Sequence, residues 1–386
     1  MLAALGVERV RLERLRGKIP LRICVTGTRG KSTVTRLVAS ILRESGLRVV
    51  AKTTGSKPVI ILPDGTEREV RRLGPPSVLE QKKILAAAAR LGADAVVAEM
   101  MSLRPECLAV ESDRIFRPGL LLITNVREDH QEEMGSTKAE IAASLAAAIP
   151  EGGTVLVPEE EIYPVFRKAA DARKAELRPV AAVSESLDVG SPGGGDVLGF
   201  SENRRLALAA AEALGLDRVA ASGGIAQARP DFGGLAVFRS ASPVTGAAWF
   251  LVNAFAANEP ESSARSLSLL ERRFPALPKR RIALLALRAD RGARTVQWIK
   301  AARSGFFSGF SALVFIGDHA RAMARSRRRG FSGIETAALS ERRPEEIMRR
   351  LGRIESGEAQ IVGLGNIVGV GAALVEYWMK TGERAS

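Results

Sequence analysis

Residues 26–33, TGTRGKST, constrain this chain more than any other stretch, because they join an apolar run to a helical period. Residues 21–26 (LRICVT) read as a buried strand, and residues 32–45 space Val34, Leu37, Val38, Ile41 and Leu42 as one face of a helix. A glycine-rich turn between those elements aims backbone N–H groups and a helix N-terminus at one point, which makes a cradle for phosphate. Lys31 can then reach the β and γ oxygens of a nucleotide, and the Ser32 hydroxyl can hold Mg2+. Thr26, Gly27, Thr28, Arg29, Gly30, Lys31, Ser32 and Thr33 form the candidate nucleotide loop, with ATP and Mg2+ as expected cofactors. The generic pattern puts glycine where this chain has Val25. The loop is a shortened variant, which counts against an ordinary GTPase or adenylate-type kinase.

The alternation continues beyond the loop. Residues 48–52 read as a strand, 53–63 as a loop, 77–91 as a helix, and 93–98 (ADAVVA), 119–124 (GLLLIT) and 154–158 as further strands. A helix dense in alanine and leucine follows over 202–215, after a Gly/Pro-rich surface loop at 191–195. Near 221–234 periodicity fades among several glycines, which places a boundary there. The expected division is a basic lead-in over 1–20, an ATP-binding domain over 21–228 and a closure domain over 229–386. In the last, strands at 249–252, 281–287, 312–316 and 359–363 alternate with helices at 262–273, 295–303, 320–328, 344–351 and 370–380. The fold class is α/β: a central domain with a mostly parallel sheet, then a smaller α/β domain. In such sheets ligands gather beyond the carboxyl ends of the strands.

Those ends carry the polar residues. Glu99 follows the strand-like 96–98, where a carboxylate can bind the metal that the phosphates touch. Asn125, Asp129 and His130 (TNVREDH, 124–130) follow the next strand, and His130 is one of two histidines in the chain, which favours a metal or phosphate role.

The formal net charge of +14 attracts anions. Three Trp and two Tyr supply a poor stacking surface, so nucleic acid is not an expected partner, and the arginine-rich 321–329 reads as a solvated helix face. Two cysteines make no disulfide framework, and neither a run of eighteen apolar residues nor a signal-like amino terminus is present. A cytoplasmic location is expected.

The series GTxGKST, Glu after a strand, then ITNV…DH…MG resembles the Mur ligase superfamily, which includes the peptidoglycan amino-acid ligases and folylpolyglutamate synthase. Residues 26–37 (TGTRGKSTVTRL), 51–55 (AKTTG), 99–101 (EMM), 125–135 (NVREDHQEEMG), 253–259 (NAFAANE), 288–295 (RADRGART) and 363–369 (GLGNIVG) look like the CapB/PgsB ligase subunits of poly-γ-glutamate synthase. The resemblance runs from about residue 21 onward. It implies a P-loop Mur-ligase-like domain, ATP-driven γ-linked growth of a glutamate chain, glutamate and the γ-glutamyl chain as substrates, and membrane-embedded partner subunits (CapC/PgsC-like and CapA/PgsA-like). Such partners would hold the chain at the inner face of the membrane. Lys31, Glu99 and His130 match the family's catalytic positions, Ser32, Glu99 and His130 its metal positions, and Asn125 and Asn203 its nucleotide side.

Two departures stand out. The lysine that many Mur-type ligases carbamylate about fourteen residues after the DH pair has no counterpart in 140–149 (EIAASLAAAI), so a second metal would be held differently or not at all. Family members often begin with a membrane-spanning stretch, which this sequence lacks.

The expected chemistry is attack of a γ-carboxylate on the γ-phosphate, then displacement of phosphate from the acyl phosphate by an amine. Asn258, Arg288, Asp290 and Arg291 are the candidate substrate contacts in a second domain that closes over the site. Two alternatives stay open: another Mur-superfamily amino-acid ligase, disfavoured because the loop opens too early for a UDP-sugar domain, and a non-catalytic P-loop nucleotide-binding protein. The amino acid added, product length and oligomeric state, a homo-oligomer included, are not read from the sequence.

Overall fold

The computed structural model describes residues 2–72, 74, 76–128, 131–182, 201–325 and 334–385, and the chain divides into two compact units, Met1–Asp231 and Phe232–Ser386. In the first unit, strands β1 (Leu21–Thr26), β2 (Val49–Lys52), β3 (Val59–Ile61), β4 (Glu67–Glu69), β5 (Ala95–Glu99), β6 (Leu120–Ile123), β7 (Thr154–Pro158) and β8 (Glu176–Val180) form one sheet. Its order is β4-β3-β2-β5-β1-β6-β7-β8. In that order every pairing from β2 through β8 is parallel, and the β2–β3 and β3–β4 pairings at one edge are antiparallel. Helices α1 (Leu2–Gly17), α2 (Lys31–Glu44), α3 (Leu79–Arg90), α4 (Pro105–Ala109), α5 (Gln131–Met134), α6 (Lys138–Ala146), α7 (Pro164–Ala172), α8 (Ser201–Ala213) and α9 (Arg218–Gln227) accompany it. A π-helical turn, Val110–Phe116, continues α4.

Side chains alternate across each strand, so the sheet builds two cores. Cys24, Val96 and Leu121 pack on one face with Ile84 and Leu85 of α3, Leu108 of α4, Ile141 and Leu145 of α6 and Phe166 of α7. Ile23, Val25, Val97 and Leu122 pack on the other with Val34, Leu37, Val38 and Ile41 of α2, Leu206 and Ala210 of α8, and Ala221 of α9. The mostly parallel, doubly covered sheet expected from the sequence is what forms.

Three local readings need correction. The lead-in is a helix, α1, over most of its length: Leu12 is buried, and the buried Arg16 guanidinium donates to the carbonyls of Arg114 and Ile115 at 2.9 and 3.2 Å. Residues 53–63 are not all loop, because Val59–Ile61 adds to the sheet edge; three residues are too few to show a period. Residues 221–227 continue α9, whose glycines mask its periodicity but let it approach α2. A Cβ on Gly224 would stand 2.5 and 2.7 Å from the Cα and N of Ile41. Gly224→Ala is therefore expected to destabilise the unit by about 1–3 kcal/mol, the usual overpacking cost. Thermal denaturation checks this, and an unchanged Tm would refute it.

In the second unit β9 (Ala236–Ala241), β10 (Ala248–Asn253), β11 (Arg281–Leu287), β12 (Ala312–Gly317), β13 (Glu335–Ala338), β14 (Ala359–Gly365) and β15 (Glu383–Arg384) lie in the order β13-β12-β11-β14-β10-β9-β15. β13 through β10 are parallel and the β9 pairings antiparallel. Helices α10 (Pro260–Arg273), α11 (Gly292–Arg303), α12 (Ala320–Arg325), α13 (Pro344–Ile354) and α14 (Val370–Thr381) complete it. Phe255 stacks on Trp378 with centroids 5.6 Å apart, and a Cβ on Gly363 would lie 2.3 Å from the Phe255 ring. The loop expected at 191–195 and the end of the basic stretch, 326–329, lie outside the described residues. Among the described residues no helix is long and apolar enough to cross a membrane.

Candidate active site

β1 sits between β5 and β6, with Val25 beside Glu99 on one side and Thr26 beside Ile123 on the other. The turn leaving β1 is thus flanked by Glu99 and by Thr124–Asn125 at the carboxyl ends of three adjacent parallel strands. Gly27 (φ 123°) and Gly30 (φ 80°) occupy backbone conformations that favour glycine, and Gly30 caps α2. The Lys31 ammonium donates to the carbonyls of Gly27 at 2.6 Å and Thr28 at 3.2 Å, which holds it inside the loop.

Thr28 and Asn125 lock the loop from outside. The Asn125 side-chain oxygen accepts from the Thr28 hydroxyl at 2.7 Å and the Arg29 N–H at 3.0 Å, while its amide donates to the Arg29 carbonyl at 3.1 Å. The Thr124 hydroxyl donates to the same carbonyl at 2.6 Å, and the Arg127 N–H donates to the Thr28 hydroxyl at 2.8 Å. The Asn125 amide and the Thr28 hydroxyl therefore serve the loop's own geometry. Asn203, buried on α8, stands directly over Gly30: a Cβ there would meet its Oδ1 at 2.3 Å. The structure brings this residue, 173 positions beyond Gly30, to the loop.

On the other flank, the Ser32 hydroxyl donates to Glu99 Oε2 at 2.8 Å, and the Thr54 N–H donates to the same oxygen at 2.7 Å. Glu99 is buried although it carries a carboxylate. A hydroxyl and a carboxylate at the carboxyl ends of the strands are hard oxygen donors, which suits Mg2+. Among the described residues no group of three or more His, Cys, Asp or Glu could hold a metal. Mg2+ is usually held by one or two carboxylates and the substrate's phosphates rather than by an all-protein cage, so the pair fits it. His130 and Asp129 lie outside the described residues.

Sequence reasoning missed Thr124, Thr54 and a buried group behind Glu99 made of Lys52, Gln81 and Glu111, all with no exposed surface. Burial holds the Lys52 ammonium below its ordinary range and the Glu111 carboxyl above its own. The available signal was a lysine ending the apolar strand VVAK.

The four candidate substrate residues lie in the second unit. Arg288 leaves β11 and donates twice to Asp290, at 2.9 and 2.7 Å, across the short 3-10 turn Ala289–Arg291. Asn258 follows β10 just before α10. Nearby, Arg294 reaches the Asn366 side-chain oxygen at 3.5 Å.

Comparison with known proteins agrees in both halves. Residues 25–188 match the Mur ligase middle domain, and residues 240–381 match the poly-gamma-glutamate synthase CapB C-terminal domain. The PGA synthase CapB of Bacillus subtilis (strain 168) is 30% identical over 374 residues, 96% of this chain and 93% of that one. The chain belongs to the CapB family of Mur-type ligases. The capsule biosynthesis protein CapB of Bacillus anthracis is 33% identical over 295 residues, 76% of this chain and 62% of its own length. Membership makes the chain an ATP-dependent amide ligase of poly-γ-glutamate synthesis. Solved structures share the fold at lower identity. Escherichia coli FolC in complex with DHPP and ADP has a TM-score of 0.65 and 19% identity, covering 97% of this chain and 92% of that one. The Yersinia pestis bifunctional folylpolyglutamate synthase/dihydrofolate synthase complexed with AMPPNP and Mn ion has a TM-score of 0.68 and 15% identity, covering 96% and 92%.

Proposed function

We propose that this CapB-family chain binds ATP on residues 26–33, activates the γ-carboxylate of a glutamyl chain as an acyl phosphate, and joins it to the amine of the incoming glutamate. The observation that carries the reading is the juxtaposition of the Gly27–Gly30 loop, Lys31 and the Ser32–Glu99 pair beyond β5, β1 and β6. In the first step a γ-carboxylate oxygen forms a bond to the γ-phosphorus, and the bond from that phosphorus to ADP breaks. In the second the amine nitrogen bonds the carbonyl carbon, the carbon–oxygen bond to phosphate breaks, and the amine gives up a proton. No protein nucleophile is required.

The chain's own residues position and neutralise. Backbone N–H groups of the loop and the start of α2 hold the phosphates, and Lys31 meets the charge that spreads over the transferring phosphoryl oxygens. Asn203, over Gly30, faces the nucleotide side. Ser32 and Glu99 would hold Mg2+, with His130 as a further ligand carried over from the family motif; the ion would supply neutralisation of the phosphate charge. Asn258, Arg288, Asp290 and Arg291 are the proposed substrate contacts, and the domains proposed are 21–228 for nucleotide and 229–386 for closure. Membrane-embedded subunits of the CapC/PgsC and CapA/PgsA kind would hold the enzyme at the inner face of the membrane.

The test is release of ADP and phosphate from Mg2+-ATP with and without glutamate or short γ-glutamyl peptides, partner subunits added, followed by mass analysis. Glutamate-stimulated release with a mass increment of one glutamyl residue is the expected result. ATP binding with no stimulation would remove glutamate as the substrate and favour a different acceptor or a nucleotide switch.

A further inference from the structure

Three side chains without exposed surface, Lys52, Gln81 and Glu111, meet directly behind Glu99. They come from the end of β2, from α3 and from the π-helical turn after α4, so nothing local brings them together. The Gln81 amide donates to the main-chain carbonyl of Glu99 at 2.9 Å and to Glu111 Oε2 at 2.9 Å. Glu111 also accepts from the N–H groups of Met101 at 3.2 Å and Ser102 at 2.8 Å, and from the Ser102 hydroxyl. The Lys52 ammonium reaches Gln81 Oε1 at 3.3 Å and Glu80 Oε2 at 3.3 Å, and Glu80 is held from the far side by Arg72. Two residues after Lys52, the Thr54 N–H grips the Glu99 carboxylate.

Burying a lysine and a glutamate costs several kcal/mol per ion, and well-packed apolar residues would stabilise the same core as well or better. Stability alone therefore does not explain this group. What it does is fix three things around one carboxylate: the carbonyl of Glu99, the two residues that follow it, and the strand end that delivers Thr54.

We propose that Lys52, Gln81 and Glu111 are positioning residues that hold the Glu99 carboxylate in register with Ser32 for the metal of the nucleotide complex. The proposal rests on the reading of Glu99 as a metal-holding residue. Partners behind a metal ligand commonly change metal affinity about 10–100-fold when removed.

The experiment titrates Mn2+ into the full chain with AMPPNP, read by electron paramagnetic resonance, beside circular dichroism and metal-free AMPPNP affinity. Gln81→Met and Lys52→Met are expected to lower Mn2+ affinity about tenfold or more while fold and metal-free nucleotide affinity stay as in the wild type. Ser102→Ala removes one donor to Glu111 at a partly exposed position and is expected to cost about threefold, the worth of one hydrogen bond. Mn2+ affinity unchanged in the folded variants overturns the proposal. So does a loss matched by an equal loss of metal-free binding, which is the mark of a merely structural role. Should both buried variants fail to fold, Ser102→Ala decides. A Glu99→Ala control keeps the two readings apart. If that variant binds Mn2+ as well as the wild type does, the metal reading of Glu99 falls, and this proposal with it; if it loses Mn2+ while Gln81→Met keeps it, only the proposal falls.

Discussion

Lys31→Ala is expected to lower glutamate-dependent ADP release about a thousandfold. Groups aimed at charge that develops in a transition state contribute about 10²–10³ in rate each, and Lys31 is the ammonium the loop encloses. Its Nζ lies 2.6 Å from the Gly27 carbonyl, so the loop holds it near the phosphates before any nucleotide arrives. Arginine should not rescue it. A planar guanidinium is larger than the ammonium that fits between the Gly27 and Thr28 carbonyls, and it carries its charge further from the helix. Steady-state release at saturating Mg2+-ATP, with nucleotide affinity measured separately, checks both variants. Retention of more than about a tenth of the wild-type rate by Lys31→Ala would place the charge neutralisation elsewhere.

The geometry of the candidate nucleotide loop was legible in the sequence because its physics is local. A strand, a glycine turn and a helix start within a dozen or so residues carry their own geometry, and Glu99 was legible for the same reason, as a carboxylate on the exit of an apolar strand. Asn203 was different. Its α8 helix shows nothing that points to Gly30; only packing of α8 beside α2 on the sheet brings the two together, and a family motif had to supply what periodicity could not.

Other features were hidden for identifiable reasons. Asn125 reads from the motif as a nucleotide-side residue, and its bonds to Thr28 and Arg29, which also tie it to the loop, are not visible in the sequence. Which way a side chain's hydrogen bonds run is a tertiary fact. Lys52, Gln81 and Glu111 are scattered over sixty residues, and each alone reads as a solvated polar group. Their burial follows from sheet order, because β2 lies beside β5 and α3 covers that face. Helix α9 was hidden by the glycines that position it. In the second unit the strands β10, β11, β12 and β14 were legible as apolar runs, whereas β13, at one edge of the sheet, and β9, flanked on its outer side only by the two-residue β15, were missed because such strands bury less and pattern less clearly.

The two loop glycines should fail differently when given a methyl group. At Gly27 a Cβ would stand 2.2 Å from the Thr124 hydroxyl and 2.9 Å from the Thr124 backbone nitrogen, with Asn125 N at 3.1 Å. The hydroxyl cannot swing aside without releasing the Arg29 carbonyl, and the backbone cannot move without disturbing β6. With the positive φ added, overpacking and strain of about 1–3 kcal/mol each predict that Gly27→Ala weakens nucleotide binding roughly a hundredfold. At Gly30 the obstructing atoms all belong to the Asn203 side chain, at 2.3 to 3.1 Å. Asn203→Ala in the wild-type loop is expected to weaken nucleotide binding. In a Gly30→Ala background it should instead restore part of the affinity, leaving a backbone cost of about 1–2 kcal/mol. Calorimetric titration of the four chains with AMPPNP reads that reversal of sign. A double variant weaker than Gly30→Ala would mean that Asn203 moves away from Gly30 readily, and that the φ of this turn rather than its neighbour demands glycine.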